Sequence, residues 1–102
     1  MDGHGSYRSS ADEGGGLTPQ ERFAHNLRRR RVAVGISQEE LGERTELHRT
    51  EISLLERAGR EPRFATLLKL CGALSTTPDV LCEGTGWDHE SRRFTVTEPT
   101  AD

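Results

Sequence analysis

The stretch Ser37–Arg57, SQEELGERTELHRTEISLLER, decides the fold. It predicts two short helices joined by a tight turn, the first over about 38–44 and the second over about 48–57. Ser37 followed three residues later by Glu40 is the pattern of a capping box. In such a box the serine hydroxyl accepts from the glutamate amide, and the glutamate side chain accepts from the serine amide. This pair therefore predicts where the first of the two helices begins.

The second of these helices has two different faces. Turning it by about 100° per residue places Ile52 and Leu55 together on one side, which predicts a buried face. The outward positions are mainly polar, with Arg49 at the N-terminal rim: Thr50, Ser53, Leu54 and Arg57. A polar face on a helix is most often simply solvated. A face of this composition also suits base edges in a DNA major groove, which is wide enough for one helix.

The composition allows one small domain. The chain has 102 residues, 31% of them hydrophobic, and a net charge of −3. The charge is uneven, because residues 21–69 hold 10 Arg and one Lys against eight Glu, a balance of +3, whereas the remainder balances at −6. A pI near 5.8 argues against strong non-specific binding to nucleic acid, which is driven by counterion release. It does not argue against a protein that binds a specific nucleic-acid sequence through a small basic face.

The sequence lacks the signals of several functional classes. No apolar run approaches the ~18 residues that span a bilayer, and no secretory leader pattern is evident, so we expect a cytoplasmic protein without a membrane partner. Cys71, Cys82 and the four histidines share no ligand spacing, which predicts no metal site and no cofactor. No phosphate-binding loop, HExxH motif or nucleophile elbow occurs, so an enzyme is not expected.

The N-terminal part divides into an arm and a long helix. Residues 1–16 are rich in Gly, Ser and Asp and predict a disordered arm. Thr18 with Glu21 forms a second capping box and precedes a helix over 19–34. Gly35 ends that helix. Phe23, Leu27 and Val34 are predicted to face inward.

Two more helices complete the predicted domain, which spans 17–83. The fourth covers about 64–74 and the fifth, opening at Thr77-Pro78, continues to about residue 82. An apolar stripe on the fourth helix is predicted to pack inward: Phe64, Leu67, Leu68, Cys71 and Leu74. On the fifth helix, Val80 and Leu81 are predicted to do the same.

The tail, 84–102, differs from the helical part. Gly84 and Gly86 break the helix, and Trp87 is predicted to seal one edge of the core. The alternating run 93–97, RFTVT, predicts one short strand. No partner strand is evident in the sequence, and a lone strand is unstable. The strand therefore either pairs with its copy in a homodimer or stays disordered, and both alternatives remain open.

An ordered series of residues in this chain resembles the helix-turn-helix domain of phage repressors and Cro, the xenobiotic-response-element class of bacterial regulators. The series that carries this resemblance is Arg31, Ser37-Gln38-Glu39-Glu40-Leu41, Ile52-Ser53, Leu55-Glu56-Arg57, Pro62, Leu67-Leu68, Pro78 and Leu81. The resemblance covers about residues 23–81. It implies an all-α, five-helix bundle whose third helix enters the major groove while the second lies across the DNA backbone.

The resemblance also implies roles for individual residues. Base-reading candidates lie on the third helix: Arg49, Thr50, Leu54 and Ser53. Phosphate-contacting candidates surround that helix: Gln38, His48, Arg57, Arg60 and Arg63. Arg31 and Glu56 match a salt bridge that links the first and third helices. An arginine at position 49 suits guanine O6 and N7, and a leucine at position 54 suits a thymine methyl.

Four residues depart from the family pattern. Glu46 stands in the turn where Gly is common, which predicts backbone strain. Gly42 replaces a small Ala, and His48 replaces a better N-capping residue. Glu51 adds an acid near the binding face, where it either accepts from cytosine N4 or repels phosphate.

Two functional hypotheses follow. The first is a sequence-specific, DNA-binding transcriptional regulator that acts on double-stranded DNA as a homodimer on a palindromic site. Small proteins of this class also serve as antitoxins or restriction-modification controllers. The second hypothesis is a protein-interaction module that keeps the fold with little direct DNA reading, favoured by Glu46, Glu51 and the acidic pI.

Overall fold

The computed structural model describes residues 16–100, which form five helices followed by a β-hairpin. The elements in chain order are α1 (Pro19–Val34), α2 (Gln38–Thr45), α3 (Arg49–Glu56), α4 (Phe64–Ala73), α5 (Pro78–Leu81), β1 (Thr85–Asp88) and β2 (Arg93–Val96). All five predicted helices are present, with bounds that differ by a residue or so from the expected ones. The expected disorder of residues 1–16 lies, except for Gly16, outside the described residues.

The two capping boxes form to different extents. At α1, the Thr18 side chain accepts from the Glu21 amide and the Glu21 carboxylate accepts from the Thr18 amide, so the predicted box is confirmed. At α2, Ser37 Oγ accepts from the Glu40 amide at 3.0 Å. The Glu40 carboxylate instead accepts from Arg44, 3.0 Å away and one turn along the helix. Glu40 therefore stabilises α2 through an i,i+4 pair.

The core lies where the five helices meet. Side chains from all of them are buried: Phe23, Leu27, Leu41, Ile52, Leu55, Leu70, Cys71, Leu74 and Leu81. The predictions for four residues were wrong, because the structure leaves them exposed: Val34, Phe64, Leu68 and Val80. On α4 the buried stripe runs through Leu70 instead. Phe64, in the first turn of α4, is 74% exposed, whereas Leu67 of the same turn packs against the core.

Each helix is followed by a residue in the left-handed region of backbone conformation. At two of the five positions this residue is Gly; the others are Glu46, Ala58 and Ser75, with φ of 62°, 61° and 52°. A side chain in this conformation costs roughly 1–2 kcal/mol relative to the right-handed region. The strain predicted at Glu46 is therefore present. Gly42 is also constrained, since a Cβ there would lie 2.6 Å from the Leu47 carbonyl oxygen.

The tail forms an antiparallel hairpin within the chain. Strand β1 pairs with β2 in the register Thr85↔Val96 to Asp88↔Arg93. The predicted strand therefore exists, but the expectation of no partner within the chain was wrong. The missed strand, TGWD, contains Gly86 and an acid, two residue types that are depleted in strands. In the hairpin turn, Asp88 accepts from the Ser91 hydroxyl and the Glu90 amide, which lowers the pKa of Asp88.

Two side chains of α1 tie this hairpin to the helices. Arg22 is buried and donates to the carbonyl oxygens of Glu83 at 3.1 Å and Thr97 at 2.6 Å. Asn26 donates to the carbonyls of Leu81 and Glu83 at 2.9 and 2.8 Å. Gly84 lets the Arg22 guanidinium approach, since a Cβ there would lie 2.8 Å from it. The hairpin is therefore anchored to α1 by polar contacts.

Trp87 does not seal the core as predicted. It is 53% exposed and contacts Phe94 edge to face, with ring centroids 4.9 Å apart. The two residues are directly opposed in the register, so their side chains lie on the same face of the hairpin. This aromatic pair therefore stabilises the ribbon, and one ring remains in contact with solvent.

Candidate functional site

The orientation of α3 is set by two buried side chains. Ile52 is 0% exposed and Leu55 is 1% exposed. The positions on the opposite side of the helix are therefore turned outward. Arg49, Thr50 and Arg57 are exposed, whereas Ser53 and Leu54 are half-buried. The five residues form one continuous outer surface, which we call the α3 face.

The N-terminus of α3 is capped by a histidine ring. His48 Nδ1 accepts from the Thr50 amide at 3.0 Å, so the cap is better than the sequence predicted. This bond requires Nδ1 to be unprotonated, which places the hydrogen of a neutral ring on Nε2. His48 is exposed, so its second ring nitrogen is a donor at the rim of the α3 face.

Three helices converge on one buried carboxylate. Glu56, with a side chain only 2% exposed, accepts from Arg31 Nε at 2.6 Å and Nη2 at 3.0 Å. Gln38 Nε2 donates to the same carboxylate at 3.0 Å. The hydrogen bond to Glu56 is the main cause that raises the pKa of Arg31 above its ordinary value. Gln38, expected at a phosphate, therefore helps to hold α2 against α3 in the unbound protein.

Further contacts arrange the C-terminal part of the α3 face. Arg57 Nε donates to Ser53 Oγ at 3.1 Å, which directs the guanidinium along the outer surface of the helix. The Gly59 amide donates to the Leu54 carbonyl at 2.8 Å and folds the chain back over the end of α3. A Cβ at Gly59 would lie 3.0 Å from Leu54 Cδ2, so this side chain is held against the loop.

The loop between α3 and α4 carries the remaining basic candidates. Arg60 Nη1 donates to Glu51 Oε1 at 2.9 Å, which pairs a predicted phosphate contact with the unexpected acid of α3. Arg63 is exposed at the N-cap of α4. A shallow groove connects these residues: Leu47, Glu51, Arg60, Glu61, Arg63 and Thr66. The loop therefore forms a charged border along one side of α3, which we call the basic border after Arg60 and Arg63.

The four consecutive arginines of α1 have different roles. Arg31 binds Glu56, while Arg30 donates to the carbonyls of Leu74 and Ser75 at 3.0 and 2.9 Å and so caps the end of α4. Arg28 and Arg29 are exposed and line an open groove that also includes Arg57. The contacts of Arg30 at the end of α4 are not predictable from the sequence, because the positions of the carbonyl acceptors depend on helix packing that no local pattern encodes.

Two kinds of site are not found in the part of the chain that the structure describes. Between residues 16 and 100 no cluster of three His, Cys, Asp or Glu side chains is placed to hold a metal ion. Within the same residues no helix combines the length and apolar character that a membrane span needs.

Comparison with known proteins identifies the family. The family model described as "Helix-turn-helix" matches residues 27–81, from within α1 to the end of α5. The control protein C.SmaI from Serratia marcescens is 38% identical over 71 residues, which cover 70% of this chain and 84% of that protein. The hairpin lies beyond the residues that the family model matches.

Solved structures agree with this match. The restriction-modification controller C.AhdI from Aeromonas hydrophila superposes with a TM-score of 0.59 at 35% identity, over 61% of this chain and 94% of that one. The P22 c2 repressor, solved in complex with a synthetic operator, superposes with a TM-score of 0.58 at 35% identity and the same coverage. These relatives are regulators rather than enzymes. The chain belongs to the helix-turn-helix family of the phage-repressor type, whose members are DNA-binding transcriptional regulators.

Proposed function

We propose that this protein reads a specific DNA sequence by inserting α3 into the major groove. The observation that carries the proposal is the burial of Ile52 and Leu55. This burial turns Arg49 and Thr50 outward at the N-terminal end of the helix. One helix of this kind fits the width of the groove. Arg49 has the geometry for a bidentate contact with guanine, and Thr50 donates to a base or a phosphate.

The flanking residues supply the contacts to the DNA backbone. His48 Nε2, Arg57, Arg60 and Arg63 border the α3 face and donate to phosphates. Gln38 contributes at the N-terminus of α2, where the helix amides favour an anion. Phosphate contacts fix the register of a protein on the duplex, while base contacts select the sequence. Leu54 and Ser53 complete the surface that meets the bases.

We further propose that two copies bind one palindromic operator. A single domain of this size covers few base pairs, and a second copy raises both affinity and specificity. Four elements leave large apolar side chains exposed: α1 with Val32 and Val34, α4 with Phe64 and Leu68, α5 with Val80, and β1 with Trp87. Such residues are candidates for the contact between copies.

Random-site selection with the purified protein tests the DNA proposal. We expect an enriched motif with two inverted half-sites separated by about one helical turn. A motif with a single half-site would support DNA reading but contradict the homodimer. Absence of any enriched motif, together with no mobility shift on mixed duplexes at low salt, would favour the alternative function of a protein-interaction or antitoxin component.

Light scattering tests the homodimer separately. We expect a mass that shifts from one to two chains as concentration rises. A Val80→Asp variant would prevent this shift if α5 carries the contact, and Trp87→Ser would do so if the hairpin carries it. An Arg92→Gln variant, in the hairpin turn, is the control and should associate like the wild type.

The relatives suggest a narrower second candidate, the control of a restriction-modification system. C.SmaI is called a control protein and C.AhdI a restriction-modification controller, and each is at least 35% identical to this chain. Genes for a restriction endonuclease and a methyltransferase next to the gene for this protein would support that role. A selected motif located upstream of such genes would support it further, and absence of both would contradict it.

A further inference from the structure

The ion pair between Glu51 and Arg60 joins α3, the helix proposed to read DNA, to the loop between α3 and α4. Arg60 Nη1 lies 2.9 Å from Glu51 Oε1, and the two side chains are 51% and 29% exposed. Glu51 belongs to the first turn of α3, and Arg60 lies in the loop that follows that helix. The pair therefore joins the first turn of α3 to the loop whose Arg60 is the proposed phosphate contact.

Glu51 lies on the flank of α3 rather than on its outer face. It follows Thr50, and successive residues are separated by about 100° around a helix axis. Glu51 therefore points toward the loop that contains Arg60 and Arg63, and it lines the shallow groove with them. A helix in the major groove has its ends and flanks beside the sugar-phosphate backbones, so this orientation puts the carboxylate near phosphate instead of a base edge.

We propose that Glu51 holds Arg60 in the unbound protein as an internal stand-in for a DNA phosphate, and that this pair limits binding to non-operator DNA. The proposal rests on the proposed reading of DNA by α3. With the pair intact, Arg60 adds no net charge to the border. A correctly seated operator brings a phosphate close enough to displace Glu51, whereas a loosely bound random duplex does not.

The charge environment agrees with this role. Electrostatic attraction to phosphate supplies most non-specific binding, so each cation on the binding surface raises affinity for any duplex. Glu51 cancels one such cation. Glu61 lies in the same groove and adds a second acid beside Arg63. The border is therefore less basic than its arginines alone would make it.

Removing the acid should raise the affinity for random duplex and for the operator. In Glu51→Gln, Arg60 becomes available to every duplex. Random DNA then gains one phosphate contact, and the operator, which already makes that contact in the wild type, gains the free energy that displacing Glu51 had cost. We therefore expect affinity for random duplex to rise about fivefold and its logarithmic salt dependence to steepen by about 0.9, the value for one additional phosphate contact. Operator affinity should rise at least as much, because the contact that random DNA gains is too weak to displace Glu51 in the wild type, whereas the salt dependence of operator binding should change less than that of random duplex.

The test compares four variants with the wild type on the selected operator and on random duplex, over a series of salt concentrations. Arg60→Gln leaves the Glu51 carboxylate without this partner, so it should weaken binding to random duplex and weaken binding to the operator more. Arg63→Gln is the matched control and should weaken both. The double variant Glu51→Gln/Arg60→Gln should lose the gain of Glu51→Gln on random duplex. Thermal unfolding of each variant checks that the fold is retained.

Two results would overturn the proposal. If Glu51→Gln weakens operator binding and changes the preferred base at one position, the carboxylate accepts from a base. If Glu51→Gln leaves random-duplex binding and its salt dependence unchanged, the pair does not restrain Arg60. Failure of the proposed function would appear differently, as a wild-type protein that distinguishes no operator from random DNA.

Discussion

Arg31 donates to Glu56 through two nitrogen atoms, Nε at 2.6 Å and Nη2 at 3.0 Å, and this pair locks α1 to α3. The carboxylate is almost completely buried, so it depends on its donors. Removing Arg31 alone would leave a buried charge with only the Gln38 amide to solvate it. The orientation of the α3 face therefore depends on a residue two helices away.

We expect Arg31→Met to lower the free energy of unfolding by about 3 kcal/mol, the cost of leaving one member of a buried ion pair without its partner. Urea denaturation measures this change. The double variant Arg31→Met/Glu56→Met should recover much of the loss, because it removes the unpaired charge. Equal loss in the single and double variants would contradict this explanation.

A second prediction concerns the anchor of the hairpin. Arg22→Met removes the donors to the Glu83 and Thr97 carbonyls, which should cost about 1–3 kcal/mol. Hydrogen exchange should show loss of protection in β1 and β2 before the rest of the protein. Arg28→Met changes an exposed arginine on the same helix and should alter neither quantity by more than about 0.5 kcal/mol. Unchanged hairpin protection in Arg22→Met would exclude the anchoring role.

The conformation of Ala58 predicts a substitution that stabilises the protein. Its φ of 61° favours glycine, so Ala58→Gly should raise the free energy of unfolding by about 0.5–1 kcal/mol. The same change at Ala33, exposed within α1, should lower it by about 1 kcal/mol, since glycine is a poor helix former. Thermal unfolding distinguishes the two signs. A loss of stability at both positions would argue against the left-handed conformation at Ala58.

The two cysteines predict a dependence of stability on high pH. Burial raises the pKa of the Cys71 and Cys82 thiols above the ordinary value of 9.0, with a smaller effect of Asp79 on each. Because the folded pKa is higher than the unfolded one, their contribution is complete below about pH 9 and is lost as the pH rises through the folded pKa. Unfolding free energy measured from pH 8 to 11 should fall less steeply in Cys71→Ala/Cys82→Ala. Identical slopes would contradict the prediction.

Local patterns predicted the elements more reliably than they predicted packing. The Thr18 and Ser37 caps and Gly35 placed helix boundaries, since caps are satisfied by residues within one turn. Whether a side chain is exposed depends on which other elements of the fold pack against it. Phe64 and Val80 belong to apolar patterns, yet no element between residues 16 and 100 covers them, and only tertiary structure decides this. Strand β1 was missed because TGWD has weak strand character by itself and becomes a strand by pairing with β2.

In the candidate site, too, local sequence patterns predicted some features, whereas tertiary packing decided others. The burial of Ile52 and Leu55 follows from helical periodicity, so the outward direction of Arg49 and Thr50 was predictable. The partners of Gln38 and Arg60 were not, because a long side chain can reach several acceptors and the packing of other helices selects one. The sequence therefore predicted which side of α3 faces outward, whereas the contacts around that side required the structure.

The most direct test of the account is random-site selection with the wild type and with Arg49→Ala, using Arg92→Ala in the hairpin turn as the control. We predict that the wild type and the control return the same motif. Arg49→Ala should lose preference at one base position in each half-site, at a cost of about 1–3 kcal/mol in operator binding, and keep the others. The same motif and affinity for all three proteins would contradict reading of bases by Arg49 at the start of α3.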